Sequence, residues 1–431
     1  MRMQRILAID ASKSVGKEVK LAGWVHKVRE LGAITFVVLR DRSGLIQAVA
    51  NEKVRLPKLT LESVVEITGT IEKDDRSPLG VELKISKVEA TSPVREDVPL
   101  ELNKQDLNAN LDTILSYRPI SLRNIKQRAI FEIQAVIIQA FAEFLKSRGF
   151  TEIKSPKIVA AGAEGGADVF QVKYFGRKAY LTQSPQFYKQ MMVGVYERVF
   201  EIGHAYRAEI HNTSRHINEY VSLDFEVGFI ESFKDITGLE TDFLRFLFRK
   251  LETCQDKLKL FGVDLPKLPK VIPMIKLAEA QEILAREYKK DIKGEPDLDP
   301  EGEKMISEYF LKKESSDFVF VTHFPSSKRP FYTMDDPKNP KETLGFDLIM
   351  RGLEVTTGGQ RLHLYNDYLV KMKDRKMNHK DFEFYLQVFK YGMPPHGGLA
   401  IGLERLTMKL LGLENVREAS LFPRDLNRLE P

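Results

Sequence analysis

The sequence predicts an α+β chain: a small five-stranded β-barrel, then a larger domain built on an antiparallel sheet flanked by helices. Three observations carry this. Between residues 17 and 90, five short runs alternate apolar and polar residues. Residues 91–125 are rich in proline and charge. From residue 126 onward, helical periodicities mix with strand-like alternation but without a regular strand–helix–strand rhythm.

In the first part, KEVKLAGWVHKVRELGAITFVVLRD (17–41) gives two strands about a charged turn. GLIQAVAN (44–51) gives a third, SVVEITGTIEKD (63–74) a fourth, and VELKISKVEAT (81–91) a fifth after the turn RSPLG. So many short strands in so short a span suggest a closed barrel of the oligonucleotide-binding type, over residues 1–100. A small barrel with no nucleic-acid role is the alternative. Residues 101–125 read as a hinge. The third part spans 126–431. Its first helix, AIFEIQAVIIQAFAEFLKSRGF (129–150), stops near Gly149. TEIKSPKIVAAG (151–162) is strand-like, but Pro156 marks an edge, a bend or an interface. Residues 265–335, rich in proline and charge, read as an insertion.

Composition narrows the class. The chain has 431 residues, 43% apolar and 29% charged, which suits a soluble globular protein. It holds no run of about 18 apolar residues and no secretory core at its N-terminus, so a cytoplasmic location without membrane contact is expected. Its one cysteine, Cys254, excludes an internal disulfide and argues against a thiolate zinc site. A net charge of +5 permits RNA as a partner without requiring it.

The chemistry concentrates in VFEIGHAYRAEIHNTSRHINEYVSLDFEVGFI (199–230), which reads as two strands joined by a polar loop. In the second, Tyr220, Ser222, Asp224 and Glu226 alternate with apolar residues and so share one face. Arg207 and Glu209 share a face at the end of the first. Burying such a face costs free energy unless a charged ligand or partner meets it; a solvent-exposed ribbon is the alternative. His211, Arg215 and His216 in the loop favour an anion. FDLIMRGLEVTTGGQRLH (346–363) reads as a hairpin turning at 350–352. Asp347 and Glu354 would lie on opposite faces of one straight strand, but the turn brings them together across two. Neighbouring carboxylates call for a proton or cation between them, and oxygen ligands with an open shell suit Mg²⁺, with Thr357 as a further hydroxyl. GGLAIGLERLTMKLLG (397–412) runs from strand to helix with Arg405 in the first turn. A cation is unfavourable there unless an anion meets it. LTQSPQFYKQMM (181–192) sets Ser184, Gln186 and Lys189 about a strand-to-helix turn. Arg361 is able to clamp a carboxylate in bidentate fashion.

These pieces meet in one resemblance. GFTEIKSPKIV (149–159), YRAE (206–209) with its ten-residue loop, and GLAIGLERL (398–406) resemble, in order, the three signature motifs of class II aminoacyl-tRNA synthetases. The N-terminal barrel resembles the aspartate/asparagine/lysine subgroup. QSPQFYKQMM, AEGGADVF (163–170) and TTGGQRLH (356–363) resemble aspartyl-tRNA synthetases of the archaeal and eukaryotic type. Two departures stand out: His204 replaces a common proline, and LAIG replaces a glycine-richer run.

The resemblance implies an enzyme that joins L-aspartate to tRNA through an aspartyl-adenylate, using ATP and Mg²⁺, and that works as a homodimer. It implies that Arg207 binds the α-phosphate, Glu209 the adenine amino group, Tyr220 and Arg405 the two adenine faces, and Arg215 and His216 the phosphates and the tRNA end. Asp347, Glu354 and Thr357 would hold Mg²⁺. Glu164 and Asp224 would hold the aspartate ammonium, and Lys189 and Arg361, with Ser184 and Gln186, its side-chain carboxylate. Phe36 and Gln47 match anticodon contacts. His26, placed in the turn after Trp24, and Pro78 in RSPLG resemble the kind that charges both tRNA(Asp) and tRNA(Asn) and leaves a tRNA-dependent amidotransferase to finish the second. The alternatives are an enzyme restricted to tRNA(Asp), an asparaginyl-tRNA synthetase, and a non-catalytic RNA-binding paralogue. The last usually loses the motif-two arginine or a metal acid, and Arg207, Arg405, Asp347 and Glu354 are all present.

Overall fold

A computed structural model describes residues 3–160, 168–210 and 213–431. Glu164 and His211 lie outside the described residues. The chain divides into two compact units, Met1–Ile125 and Lys126–Pro431.

In the first unit, β1 (Glu18–Leu31), β2 (Ile34–Asp41), β3 (Gly44–Asn51), β4 (Val64–Lys73) and β5 (Val81–Ser92) close a barrel in the order β1–β2–β3–β5–β4. Alternation explains the closure: Val19, Leu21, Val37, Leu39, Ile46, Ala48, Ile67 and Leu83 point inward and form its core. Phe36 and Gln47 lie on the alternate, outward positions of β2 and β3 and are only partly buried. The Gln47 amide donates to Glu82 Oε2 at 3.1 Å.

His26 corrects the sequence expectation. It lies inside β1 at a β-bulge between Val25 and Lys27, not in a turn, and the strand runs on to Leu31 before turning at Gly32. The bulge leaves His26 buried, with no hydrogen-bond partner for Nδ1 among the described residues. Burial lowers its pKa to about 4, helped by Arg40 and Lys27, so the ring is neutral. Pro78 lies in an exposed turn, as expected. Residues 101–125, read as a hinge, carry α1 (Leu111–Ser116) and α2 (Arg118–Ser121) and fall within the first unit.

The second unit begins with α3 (Ile125–Ser147), whose apolar stripe packs on the main sheet. Gly149 follows at φ +79°, a left-handed stop. Pro156 separates β6 (Thr151–Glu152) from β7 (Ile158–Val159). The first joins the edge of the main sheet; the second pairs with β9 (Arg177–Leu181), which pairs in turn with β8 (Gln171–Tyr174), in a small separate sheet. After α4 (Gln186–Tyr196) come β10 (Arg198–Tyr206), β11 (Glu219–Gly228), α5 (Phe233–Leu251) and α6 (Gln255–Leu258). Residues 265–335 do not stand apart. They supply β12 (Met274–Lys276), α7 (Leu277–Tyr288), α8 (Pro300–Glu314) and β13 (Phe318–Thr322), and both strands extend the main sheet. The chain continues through β14 (Asp335–Asp336), β15 (Asn339–Thr343), β16 (Gly345–Met350), β17 (Leu353–Gln360), α9 (Tyr365–Asp374), α10 (Glu383–Lys390), β18 (His396–Gly402) and α11 (Leu403–Leu411).

The main sheet has eight strands in the order β12–β13–β16–β17–β18–β11–β10–β6. It is antiparallel except at its two outer pairs, β12–β13 and β10–β6. Helices α3 and α5 cover one face through a core of Phe141, Phe144, Phe243, Leu247 and their neighbours. The opposite face carries the polar groups. Among the described residues, no helix is long and apolar enough to cross a membrane.

Candidate active site

Strand register assembles the site. One row crosses the sheet as Asp347, Thr357, Ala400, Asp224 and Glu201, on β16, β17, β18, β11 and β10. The next row is Gly345, Gly359, Gly398 and Glu226. The small residues are required. A Cβ at Gly398 would lie 2.3 Å from Glu226 Oε2, and one at Gly358 would lie 2.4 Å from Phe346 Cζ. Ala400, one of the departures noted in the sequence, sits at the centre of this floor.

Two open cavities, about 640 and 980 Å³ with the solvent at their mouths included, lie above it. The first is lined by Arg207, Glu209, Arg215, His216, Tyr220, Glu354 and Arg405. The second is lined by Ser184, Gln186, Lys189, Arg207, Arg329, Tyr332 and Arg361. Arg207, Glu354, Thr357 and Ala400 border both.

Arg207 and Glu209 lie just beyond β10, not on it. The ladder frays past Tyr206: Arg207 N still donates to its register partner Asn218 O at 2.9 Å, but Asn218 N turns to Arg424 O and Ala208 N to Asp168 O, both at 2.7 Å. Arg207 stands 3.6 Å from the Glu209 carboxylate, and its guanidinium is 5.7 Å from the Tyr220 ring centroid. His204 is exposed and meets Glu219 at 3.0 Å, so this departure leaves the cavities untouched. Arg405 donates to the Glu354 carbonyl at 3.1 Å. Its neighbour Glu404 is buried and accepts from Val221 N at 3.1 Å. Burial raises that carboxyl to about 8.

The hairpin sets the two acids on paired strands, β16 and β17, but not opposite one another. A bulge after Leu348 sets Asp347 opposite Thr357 and Glu354 opposite Ile349. Asp347 Oδ2 pairs with Arg329 at 2.5 Å, while Oδ1 is buried without a hydrogen-bond partner among the described residues. Burial, with the Glu354 charge adding, raises Asp347 to about 7 against the pull of Arg329. Such a carboxylate fits a cation, which would replace the proton that burial otherwise imposes. Thr357 Oγ1 accepts from Arg329 at 2.9 Å, which leaves it less free as a ligand than expected.

The floor of the second cavity is a chain of buried charges. Lys189 Nζ meets Asp224 at 2.9 Å and Glu226 at 3.4 Å, and Arg361 Nε meets Glu226 at 2.9 Å. Asp224 Oδ2 has no hydrogen-bond partner among the described residues and so keeps an acceptor for a cationic group. Gln186 donates to Gln190 at 2.9 Å.

Sequence reasoning missed Glu303 and Arg329. Glu303 on α8 holds Arg215 at 2.5 Å and accepts from Glu354 N at 3.0 Å. Neither residue belongs to a local pattern, and both come from the stretch read as an insertion.

The chain matches the family model "tRNA synthetases class II (D, K and N)" over residues 110–426 and an "OB-fold nucleic acid binding domain" over 19–90. It is 46% identical to the aspartate–tRNA(Asp/Asn) ligase of Deinococcus radiodurans, covering all of this chain and 99% of that one. It is 41% identical to the aspartate–tRNA(Asp) ligase of Pyrococcus horikoshii over 96% of this chain and 97% of that one. The asparaginyl-tRNA synthetase of Pyrococcus horikoshii, solved with asparaginyl-adenylate, superposes with a TM-score of 0.91 at 32% identity and 97% coverage of both chains.

Proposed function

Since the chain belongs to the class II tRNA synthetases of the D, K and N group, we propose that it is an aspartate–tRNA ligase that charges both tRNA(Asp) and tRNA(Asn). The observation that carries the catalytic reading is the position of Arg207 on the border of both cavities. A nucleotide in the first and an amino acid in the second would bring the α-phosphate and the α-carboxylate together beside one guanidinium. An aspartate carboxylate oxygen attacks the α-phosphorus and pyrophosphate leaves. A ribose hydroxyl of the tRNA end then attacks the acyl carbon and AMP leaves. Among the described residues no side-chain base is assigned to either step, so positioning and charge stabilisation carry them.

In this reading Tyr220 and Arg405 sandwich the adenine, Glu209 reads its amino group, and Arg215 and His216 meet the phosphates. Asp347 and Glu354 would hold Mg²⁺, which would neutralise phosphate charge; the buried Asp347 carboxylate, only one of whose oxygens pairs with Arg329, supports this. Lys189 and Arg361 bind the substrate carboxylate beside Ser184 and Gln186. Asp224 meets the ammonium, with Glu164 a further candidate for the same role. We also propose a homodimer paired through α3 and β6; an active monomer in sedimentation at micromolar concentration would exclude it.

Charging of both tRNAs is supported by the name of the Deinococcus relative; the Pyrococcus relative's name marks the alternative. The two anticodons differ only at the third base, where cytosine offers an amino donor and uracil a carbonyl acceptor. The neutral, buried His26 and the exposed Pro78, which lacks an N–H, supply no fixed donor or acceptor pattern that rejects one base. A cytoplasmic amidotransferase would then convert the misacylated product. Aspartylation of pure tRNA(Asp) and tRNA(Asn) transcripts tests this. Comparable kcat/KM values are expected. A preference for tRNA(Asp) above about a hundredfold, close to 3 kcal/mol of single-base discrimination, would restrict the enzyme to tRNA(Asp).

A further inference from the structure

Away from both cavities, His323, Asp336 and Glu342 converge, with one ligand atom of each within 4.8 Å of the others. We propose that they form a binding site for a divalent transition ion of the zinc class. His323 follows β13, Asp336 ends β14, and Glu342 lies on β15. An ion here would staple the two ends of the segment 324–335, which sends Arg329, Tyr332 and Thr333 to the second cavity.

Hydrogen bonding fixes the ring. Thr322 Oγ1 lies 3.3 Å from the Ile275 carbonyl and 2.8 Å from His323 Nδ1, and in the tautomer competent for a metal it donates to the first and accepts from the second. The proton is then on Nδ1, and Nε2 turns a lone pair toward Asp336 Oδ2, 3.7 Å away. A charged Nε2–H would close to about 2.7–2.9 Å on a carboxylate. Two ligands each about 2.1 Å from a tetrahedral ion stand roughly 3.4 Å apart, near the separation seen. The other Asp336 oxygen accepts from Lys338 N at 2.9 Å, which orients the carboxylate as an outer-shell contact does. Lys276 Nζ, 3.1 Å from Glu342, now offsets part of the negative charge; its flexible, 42% exposed side chain is free to leave when an ion enters. One imidazole and two carboxylates suit zinc, with water completing the shell.

The test is calorimetric titration of the metal-stripped full chain with Zn²⁺ in millimolar Mg²⁺, which occupies the hard carboxylate site, backed by the visible spectrum with Co²⁺. One equivalent of Zn²⁺ is expected, with a Co²⁺ ligand-field band and a raised Tm. His323→Gln and Asp336→Asn should each weaken uptake by at least about tenfold and abolish the band. Glu342→Gln, on a more exposed strand, serves if either fails to fold. No uptake by the parent chain at about a hundred micromolar Zn²⁺, or uptake by the folded variants equal to the parent's, overturns the assignment.

Discussion

Arg361 Nε lies 2.9 Å from Glu226 Oε1, and both side chains are buried beneath the second cavity. Burial pushes the Glu226 carboxyl up, yet Arg361 and Lys189 together hold it below the usual carboxylate range. The arginine proposed to face the substrate carboxylate is thus itself held by an internal one. Arg361→Leu should remove aspartate activation and also leave buried Glu226 with Lys189 as its remaining ion-pair partner among the described residues, at a cost of up to about 3–5 kcal/mol of stability. Arg361→Leu with Glu226→Gln should recover most of the stability and none of the activation. Urea unfolding and aspartate-dependent pyrophosphate exchange separate the two effects. A double variant with parental aspartate kinetics would remove Arg361 from specificity.

Arg207→Ala and Glu354→Ala should each nearly abolish exchange of pyrophosphate with ATP while the chain stays folded. Both residues are partly exposed on the border of the two cavities, so their loss leaves no large void. Removing one preorganised charge contact at a transition state costs about 3 kcal/mol, roughly a hundredfold or more in rate. Exchange within about threefold of the parent in either variant would contradict the site.

What the sequence revealed depended on periodicity. The face shared by Tyr220, Ser222, Asp224 and Glu226 was legible because strand side chains alternate, and the paired strands that carry Asp347 and Glu354 were legible because a hairpin reverses within a few residues. Glu303 and Arg329 reach the same acids from 51 and 18 residues away in the chain, and no local pattern announces such contacts. The bulge at His26 was hidden for a related reason: one extra residue in a strand leaves the surrounding alternation almost intact. The end of β10 was set by two amides, Asn218 N and Ala208 N, that choose the distant carbonyls of Arg424 and Asp168 over the ladder, so Arg207 was placed one residue too far inside a strand.

Phe36→Ala should weaken tRNA charging without touching amino-acid activation. Phe36 faces outward on β2, one outward position from Val38, which pairs across the sheet with Gln47. Stacking of a base on an aromatic ring is worth about 1–3 kcal/mol, so kcat/KM for tRNA should fall about 5- to 150-fold. Pyrophosphate exchange, which needs no tRNA, should be unchanged. Equal charging by parent and variant would mean that this outward face does not read the anticodon.

Stability should fall with rising pH through Glu240. This side chain is fully buried on α5 beside Thr356 of β17, and neither of its oxygens has a hydrogen-bond partner among the described residues. Burial raises its pKa to about 8, with Thr356 pulling weakly the other way. In the unfolded chain a glutamate ionises near 4.3. Between these values the fold keeps a proton that the unfolded chain releases, so the native state is most favoured below about pH 4 and loses this contribution as pH climbs toward 8. The slope for one such group is about 1.4 kcal/mol per pH unit within the window. Glu404, also near 8, acts with the same sign, so the parent's slope alone does not isolate Glu240. Glu240→Gln does, because it keeps shape and polarity and cannot ionise. Urea unfolding of parent and variant at pH 5.5 and 7.5 should show the variant losing about 2–3 kcal/mol less between the two conditions. Identical losses would mean that Glu240 is already ionised in the fold or that water compensates its charge.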